Sequence, residues 1–340
     1  MAKESLATKY RPTDFSSLTE QKAIKDILEN QIKTKTFQHG YLFTGPSGTG
    51  KTTSARIFAS MINEGKGSPI EVDAASNSGV DNIRQIIEDA KRKPLDAEYK
   101  IFIVDECHSL SDSSWQALLK TLEEPPKFTI FIFCTTNPEK IPATILSRVQ
   151  RYNFQKISNE GIVERLGYII AQEIVHNEDI IYTEDAVDYI AKVSTGGMRD
   201  AITLLDKCLS LSRTLNLDNV LKTIGAEDYS TFITFLSALE KKEKEISIKV
   251  IEDVYNEGKD VKQFMKDFAK FVLEVGKYSL YKNFDYISLP NTLENELEQL
   301  IDDSLFDIMD FVVSLNNQIK WDNDPKTLIE LSILIYCGKE

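Results

Sequence analysis

Residues 45–52 read GPSGTGKT, a match to GxxxxGK[ST], and stand between an apolar run, YLFT at 41–44, and a helix-patterned stretch, TSARIFASMI at 53–62. Strand, glycine loop and helix in that order constrain the fold more than any other feature. The loop grips phosphates only when a strand delivers it to a helix N-terminus, where main-chain N–H groups and the helix dipole both favour an anion. Gly45, Pro46, Ser47, Gly48, Thr49 and Gly50 form the turn, Lys51 reaches the outer phosphates, Thr52 offers a hydroxyl to Mg2+, and Thr53 opens the helix. The expected ligand is a nucleoside triphosphate with Mg2+, and ATP is the expected nucleotide. A glycine-rich turn with a chance lysine is the bland alternative, and the flanking elements argue against it.

From Tyr41 to Phe154 the β-rich runs YLFTG, IEVDA, KIFIVDE, FTIFIFCTT and QRYNF alternate with helical patterns. Such alternation predicts a five-stranded parallel sheet with helices on both faces, and the continuous apolar runs IFIV and IFIF suit central strands buried on both sides. After Lys156 the strand signal disappears. Helices follow, with Ser158 and Thr183 as N-cap candidates and Gly196-Gly197 as a break. From Thr223 the pattern is helical again, interrupted at Glu257-Gly258, near Leu289-Pro290 and at WDNDP, residues 321–325. A chain of 340 residues exceeds what one core usually organises. The expected division is an α/β P-loop domain over 1–156, a small helical domain over 157–221 and an all-α domain over 222–340. No internal repeat or low-complexity segment is evident.

The run IFIVDE places Asp105 and Glu106 at the carboxyl edge of the predicted sheet, where ligands of open α/β folds collect. Asp105 is expected in the magnesium shell, and Glu106 is expected to orient and activate the attacking water. Thr135, Thr136 and Asn137 end the next strand and offer hydrogen bonds at the same edge, though ordinary strand-end turn chemistry explains them nearly as well. Arg148 and Arg199 are the cations available to neutralise charge developing on a γ-phosphate, with surface salt bridging as the competing reading. For nucleic acid, SNSGVDNIRQ reads as a capped helix start, making Asn77, Ser78 and Arg84 candidates beside the cluster Lys91, Arg92 and Lys93. A solvated helix face is the plainer account of that cluster.

A net charge of −13 argues against a chain that coats nucleic acid by bulk electrostatics, and the acidity sits mainly in residues 221–340. Four cysteines without CxxC spacing and three dispersed histidines suggest neither a disulfide framework nor a zinc site. The N-terminus lacks a signal-peptide pattern and no segment is long and apolar enough to span a bilayer, so a cytoplasmic protein without membrane contact is expected.

KYRPTDF with LTEQKAI, the P-loop, VDAASNSGVDNIR, IFIVDECHSLSDSSWQALLKTLEEPP, CTTNPEKIPATILSRVQ and STGGMRDAITLLDK occur in this order over residues 5–210. Together they make the chain resemble AAA+ clamp-loader ATPases, most closely the gamma/tau subunits of bacterial DNA polymerase III. The resemblance implies a RecA-like AAA+ module, a helical lid and a helical collar that holds a pentameric ring of loader subunits together. It implies that Arg148 acts as an arginine finger on a neighbour's ATP, that Thr136 with Asn137 is the sensor 1 position, and that Arg199 is the sensor 2 arginine. Tyr10, Arg11 and Pro12 are implied as surroundings of the adenine. The implied activity is ATP hydrolysis coupled to loading a sliding clamp onto primer-template DNA. A nucleotide-binding scaffold subunit and a motor that remodels DNA junctions are the alternatives.

Three departures from the family pattern stand out. Ser-Arg-Cys reads Ser147-Arg148-Val149 and keeps the arginine. Only MINEGKGSPI, residues 61–70, separates the P-loop helix from the second strand, so the family's four-cysteine module is absent and no zinc is expected. The sequence ends where the family's collar is expected to end, so no long tau tail is expected, and so compact a form would suit a bacteriophage-encoded loader in a host cytoplasm or a short bacterial relative.

Overall fold

The computed structural model describes residues 4–176, 179–224, 229–301 and 304–338. The chain divides into two compact units, Met1–Asn216 and Leu217–Glu340.

In the first unit, α1 (Leu6–Lys9) and α2 (Lys22–Thr34) precede β1 (Gly40–Thr44) and α3 (Lys51–Ile62). There follow β2 (Ile70–Asp73), α4 (Val80–Ala90), β3 (Lys100–Asp105), α5 (Asp112–Glu123), β4 (Thr129–Thr135), α6 (Ala143–Leu146) and β5 (Gln150–Asn153). All five strands form where the sequence runs predicted them and pair in parallel in the order β2-β3-β4-β1-β5. Alternate residues of the central strands feed two cores, as the pleat requires. Tyr41, Phe43, Ile101, Ile103, Ile130 and Ile132 pack on one face with Phe58 of α3. Leu42, Phe102, Val104, Phe131 and Phe133 pack on the other with Trp115 of α5. The edge strands β2 and β5 are mostly exposed, which matches their mixed sequences. The first turn of α4 lies where SNSGVDNIRQ predicted it, but its cap position is Gly79 with no side-chain hydrogen bond, so the expected cap is not formed.

Beyond β5 lie α7 (Asn159–His176), α8 (Glu184–Val193) and α9 (Met198–Leu211). Ser158 caps α7 as predicted, its hydroxyl oxygen accepting the Gly161 N–H at 3.0 Å. Thr183 does precede α8, yet its hydroxyl makes no cap bond. Its N–H donates to the Leu215 carbonyl instead, because the chain is leaving a two-residue parallel ladder, β6 (Ile181–Tyr182) with β7 (Thr214–Leu215). The expectation that strand structure ends after Lys156 is corrected here; two residues carry too little periodicity to read. Gly196, at φ +88°, makes the predicted break with Gly197.

The second unit is helical among its described residues: α10 (Leu217–Ile224), α11 (Tyr229–Glu240), α12 (Lys244–Asn256), α13 (Val261–Tyr281), α14 (Glu294–Gln299), α15 (Leu305–Ile319) and α16 (Pro325–Gly338). The three predicted interruptions all fall between these helices. Gly258 takes φ +76°, and the Asp260 carboxylate accepts the N–H groups of Lys262 and Gln263 to start α13. The core is aromatic: Phe268 is fully buried and its ring lies 4.6 Å from that of Phe235, with Phe232, Phe264 and Phe271 around it. Phe268→Ala should destabilise the unit by about 3–5 kcal/mol, the cost of lost burial plus a cavity. Chemical denaturation followed by far-ultraviolet circular dichroism checks this, and a loss below about 1 kcal/mol would contradict the packing. Among the described residues no helix is long and apolar enough to cross a membrane.

Candidate nucleotide site

The loop after β1 owes its shape to glycine. Gly45, Gly48 and Gly50 take φ values of +141°, +73° and +95°. A Cβ at Gly45 would stand 2.3 Å from the Phe154 carbonyl oxygen, and one at Gly48 would stand 3.0 Å from Gly197 Cα, so neither position has room for a side chain. The Lys51 ammonium donates to the carbonyls of Gly45 at 2.8 Å and Pro46 at 2.7 Å. Burial holds this ammonium below the usual lysine range, with the charges of Glu106 and Asp105 opposing that shift. A phosphate beside it would favour the charged form.

Register brings the acids to the loop. Thr44 pairs with Thr135 and Val104 with Phe133, so the carboxyl ends of β1, β3 and β4 meet at one edge of the sheet. There the Thr52 hydroxyl donates to Asp105 Oδ2 at 2.8 Å. Asp105 Oδ1 accepts the Glu106 N–H at 3.0 Å, and Glu106 adopts φ +45°, an uncommon conformation for a side-chain-bearing residue. This sharp turn leads into a short 3-10 helix (Cys107–Ser109) and leaves the Glu106 carboxylate facing the cavity.

That cavity has a volume of about 310 Å³. Ser47 to Thr53 of the loop, Asp105 and Glu106, the segment Tyr10 to Pro12, and Arg199 all line it, bringing together most of the expected site residues. Helices α7 and α9 close one side. The Met198 N–H at the start of α9 donates to the Gly48 carbonyl at 3.0 Å, joining the loop directly to the helical subdomain.

The N-terminal segment is pinned to the same helices. Glu173 of α7, 3% exposed, accepts from the Lys9 ammonium at 2.5 Å and the Tyr10 hydroxyl at 2.7 Å. The hydrogen bond to Glu173 raises the Lys9 pKa, and burial raises that of Tyr10. Arg165 of α7 donates to the Tyr10 carbonyl at 2.8 Å and lines the cavity beside Arg56, Leu18 and Thr19. Sequence reasoning missed these four. Arg56 was legible from its place one turn into α3; Arg165 meets the N-terminal segment across a separation of 155 residues and carries no local signal.

Other expected residues stand apart from the cavity lining. Gly45 and Pro46 contribute the carbonyls bonded by Lys51. The Thr136 hydroxyl lies 3.4 Å from Glu106 Oε2, and Asn137 donates its N–H to Thr135 Oγ1 at 3.0 Å. Arg148 is exposed on the connection from α6 to β5, donating to Glu123 Oε1 at 2.6 Å, Thr144 O at 2.6 Å and Ser147 Oγ at 3.0 Å. Of the candidate nucleic-acid contacts, the Asn77 amide bonds the Asp73 carbonyl and the Ser78 carbonyl accepts from the Ser114 hydroxyl. Arg84 pairs with Asp81 and Lys91 with Glu88, while Arg92 and Lys93 are exposed.

Strand order, phosphate loop, strand-end acids and a closing helical subdomain define a P-loop module of the AAA+ class. Residues 69–158 match the family model for the DNA polymerase III delta subunit, and residues 162–214 that for the DNA polymerase III clamp loader subunit, ATPase lid domain. The chain is 34% identical to DNA polymerase III subunit tau of Bacillus subtilis over 99% of its own length, and 31% identical to DNA polymerase III subunit gamma of Buchnera aphidicola, of which it covers 80%. The chain belongs to the DNA polymerase III gamma/tau family. It spans 64% of the Bacillus subtilis protein and 50% of the gamma/tau subunit of Mycoplasma genitalium. Among solved structures, the Thermotoga maritima RuvB Holliday junction branch migration motor aligns over 68% of this chain and 79% of its own, at TM-score 0.51 and 21% identity. That likeness is one of fold.

Proposed function

We propose that this chain is an ATP-hydrolysing subunit of a loader that opens a sliding clamp and sets it on primer-template DNA. The observation that carries the reading is the hydrogen bond between Thr52 and Asp105 inside a cavity also lined by Lys51 and Glu106. A hydroxyl and a carboxylate held together are oxygen donors of the kind Mg2+ prefers, so the residues present fit the ion. Bound there, Mg2+ supplies charge neutralisation on the phosphates. The loop N–H groups and Lys51 cradle the triphosphate, Tyr10 to Pro12 and Arg165 surround the base, and Arg199 adds a cation from the lid. Glu106 accepts a proton from the attacking water, and Thr136 with Asn137 fixes that water from the end of β4.

Arg148 lies outside its own cavity, which supports a role on a neighbour's nucleotide. The functional division then follows residues 1–156 as ATPase module, 157–221 as lid and 222–340 as a collar for a ring, with other loader subunits as partners. Arg84, Arg92 and Lys93, with Asn77, Ser78 and Lys91, form the surface offered to DNA phosphates. A scaffold subunit that binds nucleotide without turnover is the second reading; the joint presence of Lys51, Asp105 and Glu106 favours the enzyme. The test is steady-state ATP turnover of the assembled loader with and without clamp and primed DNA. Stimulation by both is expected, and turnover indifferent to them would overturn the loader reading.

A further inference from the structure

His108 belongs to none of the roles above, yet it touches both halves of the hydrolytic machinery. Its Nδ1 lies 3.2 Å from Glu106 Oε2 and 3.1 Å from Thr135 Oγ1. Thr135 is fully buried at the end of β4, and its hydroxyl oxygen also accepts the Asn137 N–H at 3.0 Å. Nδ1 therefore faces two oxygens, one of them a carboxylate. A lone pair there would oppose the carboxylate lone pairs, so the carboxylate favours the tautomer in which Nδ1 carries the proton, a single N–H that hydrogen-bonds Thr135 Oγ1 and approaches Glu106 Oε2 at ion-pair distance. Among the described residues, the only other side-chain partner of the Glu106 carboxylate is the Thr136 hydroxyl, at the longer distance of 3.4 Å.

We propose that His108 is a positioning residue that orients the Glu106 carboxylate for hydrolysis and couples it, through Thr135, to the β4 strand end carrying Asn137. The inference rests on the ATPase reading and deepens it. The left-handed turn at Glu106 aims its side chain into the cavity, but a carboxylate on two flexible methylenes and about 40% exposed still needs a fixed donor to hold one rotamer. His108, with only 16% of its side chain exposed, is itself held by the Thr135 hydroxyl between β4 and the turn and sets its Nδ1 3.2 Å from that carboxylate. Any displacement of the β4 end passes through Thr135 Oγ1 to the imidazole and so to the base.

The amides of asparagine and glutamine separate positioning from space filling. Asparagine places an N–H close to the position of Nδ1, whereas glutamine places one near Nε2. In the assembled loader, H108L should lower kcat by about tenfold to a hundredfold, as a misplaced catalytic group does, while ATP affinity changes by less than about threefold. H108N should recover most of kcat and H108Q should not. Wild-type kcat in H108L, equal loss in H108N and H108Q, or affinity falling in step with kcat would each overturn the inference alone. A wild-type loader that binds ATP without turning it over would overturn the ATPase reading, and the inference with it.

Discussion

Replacing Glu106 by Gln lowers ATP turnover by a factor on the order of 10²–10⁴, the usual contribution of a positioned general base, and leaves ATP bound within a few-fold of the wild-type affinity. The split follows from where the contacts lie. On the proposed reading, phosphate affinity comes from the loop N–H groups, Lys51 and the Thr52–Asp105 pair, all untouched by the change. Glutamine keeps the shape of the side chain and its place beside His108, but cannot take a proton from water. Single-turnover hydrolysis beside equilibrium binding of a fluorescent ATP analogue measures the two effects separately. Turnover within about threefold of wild type would remove Glu106 from its assigned role.

Arg148→Ala has an effect of similar or larger size by a different route. An arginine supplied to a neighbour's phosphates is worth about 10³–10⁵ in turnover. In this chain the guanidinium is paired with Glu123 on the surface at 2.6 Å, an exposed ion pair contributing about 0–1 kcal/mol. Together with the hydrogen bonds to Thr144 and Ser147, these are surface contacts that a phosphate on a neighbouring chain could replace. The isolated R148A chain should therefore keep wild-type ATP affinity and unfolding midpoint, and the loss should show only in the assembled loader. Equal turnover in assembled wild-type and R148A loaders would dismiss a trans role.

The sheet was legible because central parallel strands advertise themselves: IFIV and IFIF are apolar throughout, and GPSGTGKT has one workable setting, between a strand and a helix. Helix breaks were legible where glycine or proline interrupts the chain, as at Gly196 and Gly258, both with positive φ. Contacts assembled from distant segments were not. Arg165 reaches the Tyr10 carbonyl, and Glu173 ties down Lys9 and Tyr10, only because α7 folds back over the N-terminal segment. Thr183 has the composition of a cap, but its backbone is committed to the β6–β7 ladder. His108 was weighed only as a metal ligand, for which three scattered histidines are too few; its actual neighbours, Glu106 and Thr135, come from the ends of two strands.

Whether each hydrolytic site joins one chain's cavity to another chain's Arg148, as proposed, is decided by a mixing experiment. Glu106→Gln chains retain Arg148, and Arg148→Ala chains retain Glu106, so co-assembly creates junctions where an intact cavity faces an intact arginine. Loaders assembled from the mixture should regain ATP turnover well above that of either variant alone. Turnover no higher than the average of the two inactive parents would contradict a site shared between chains.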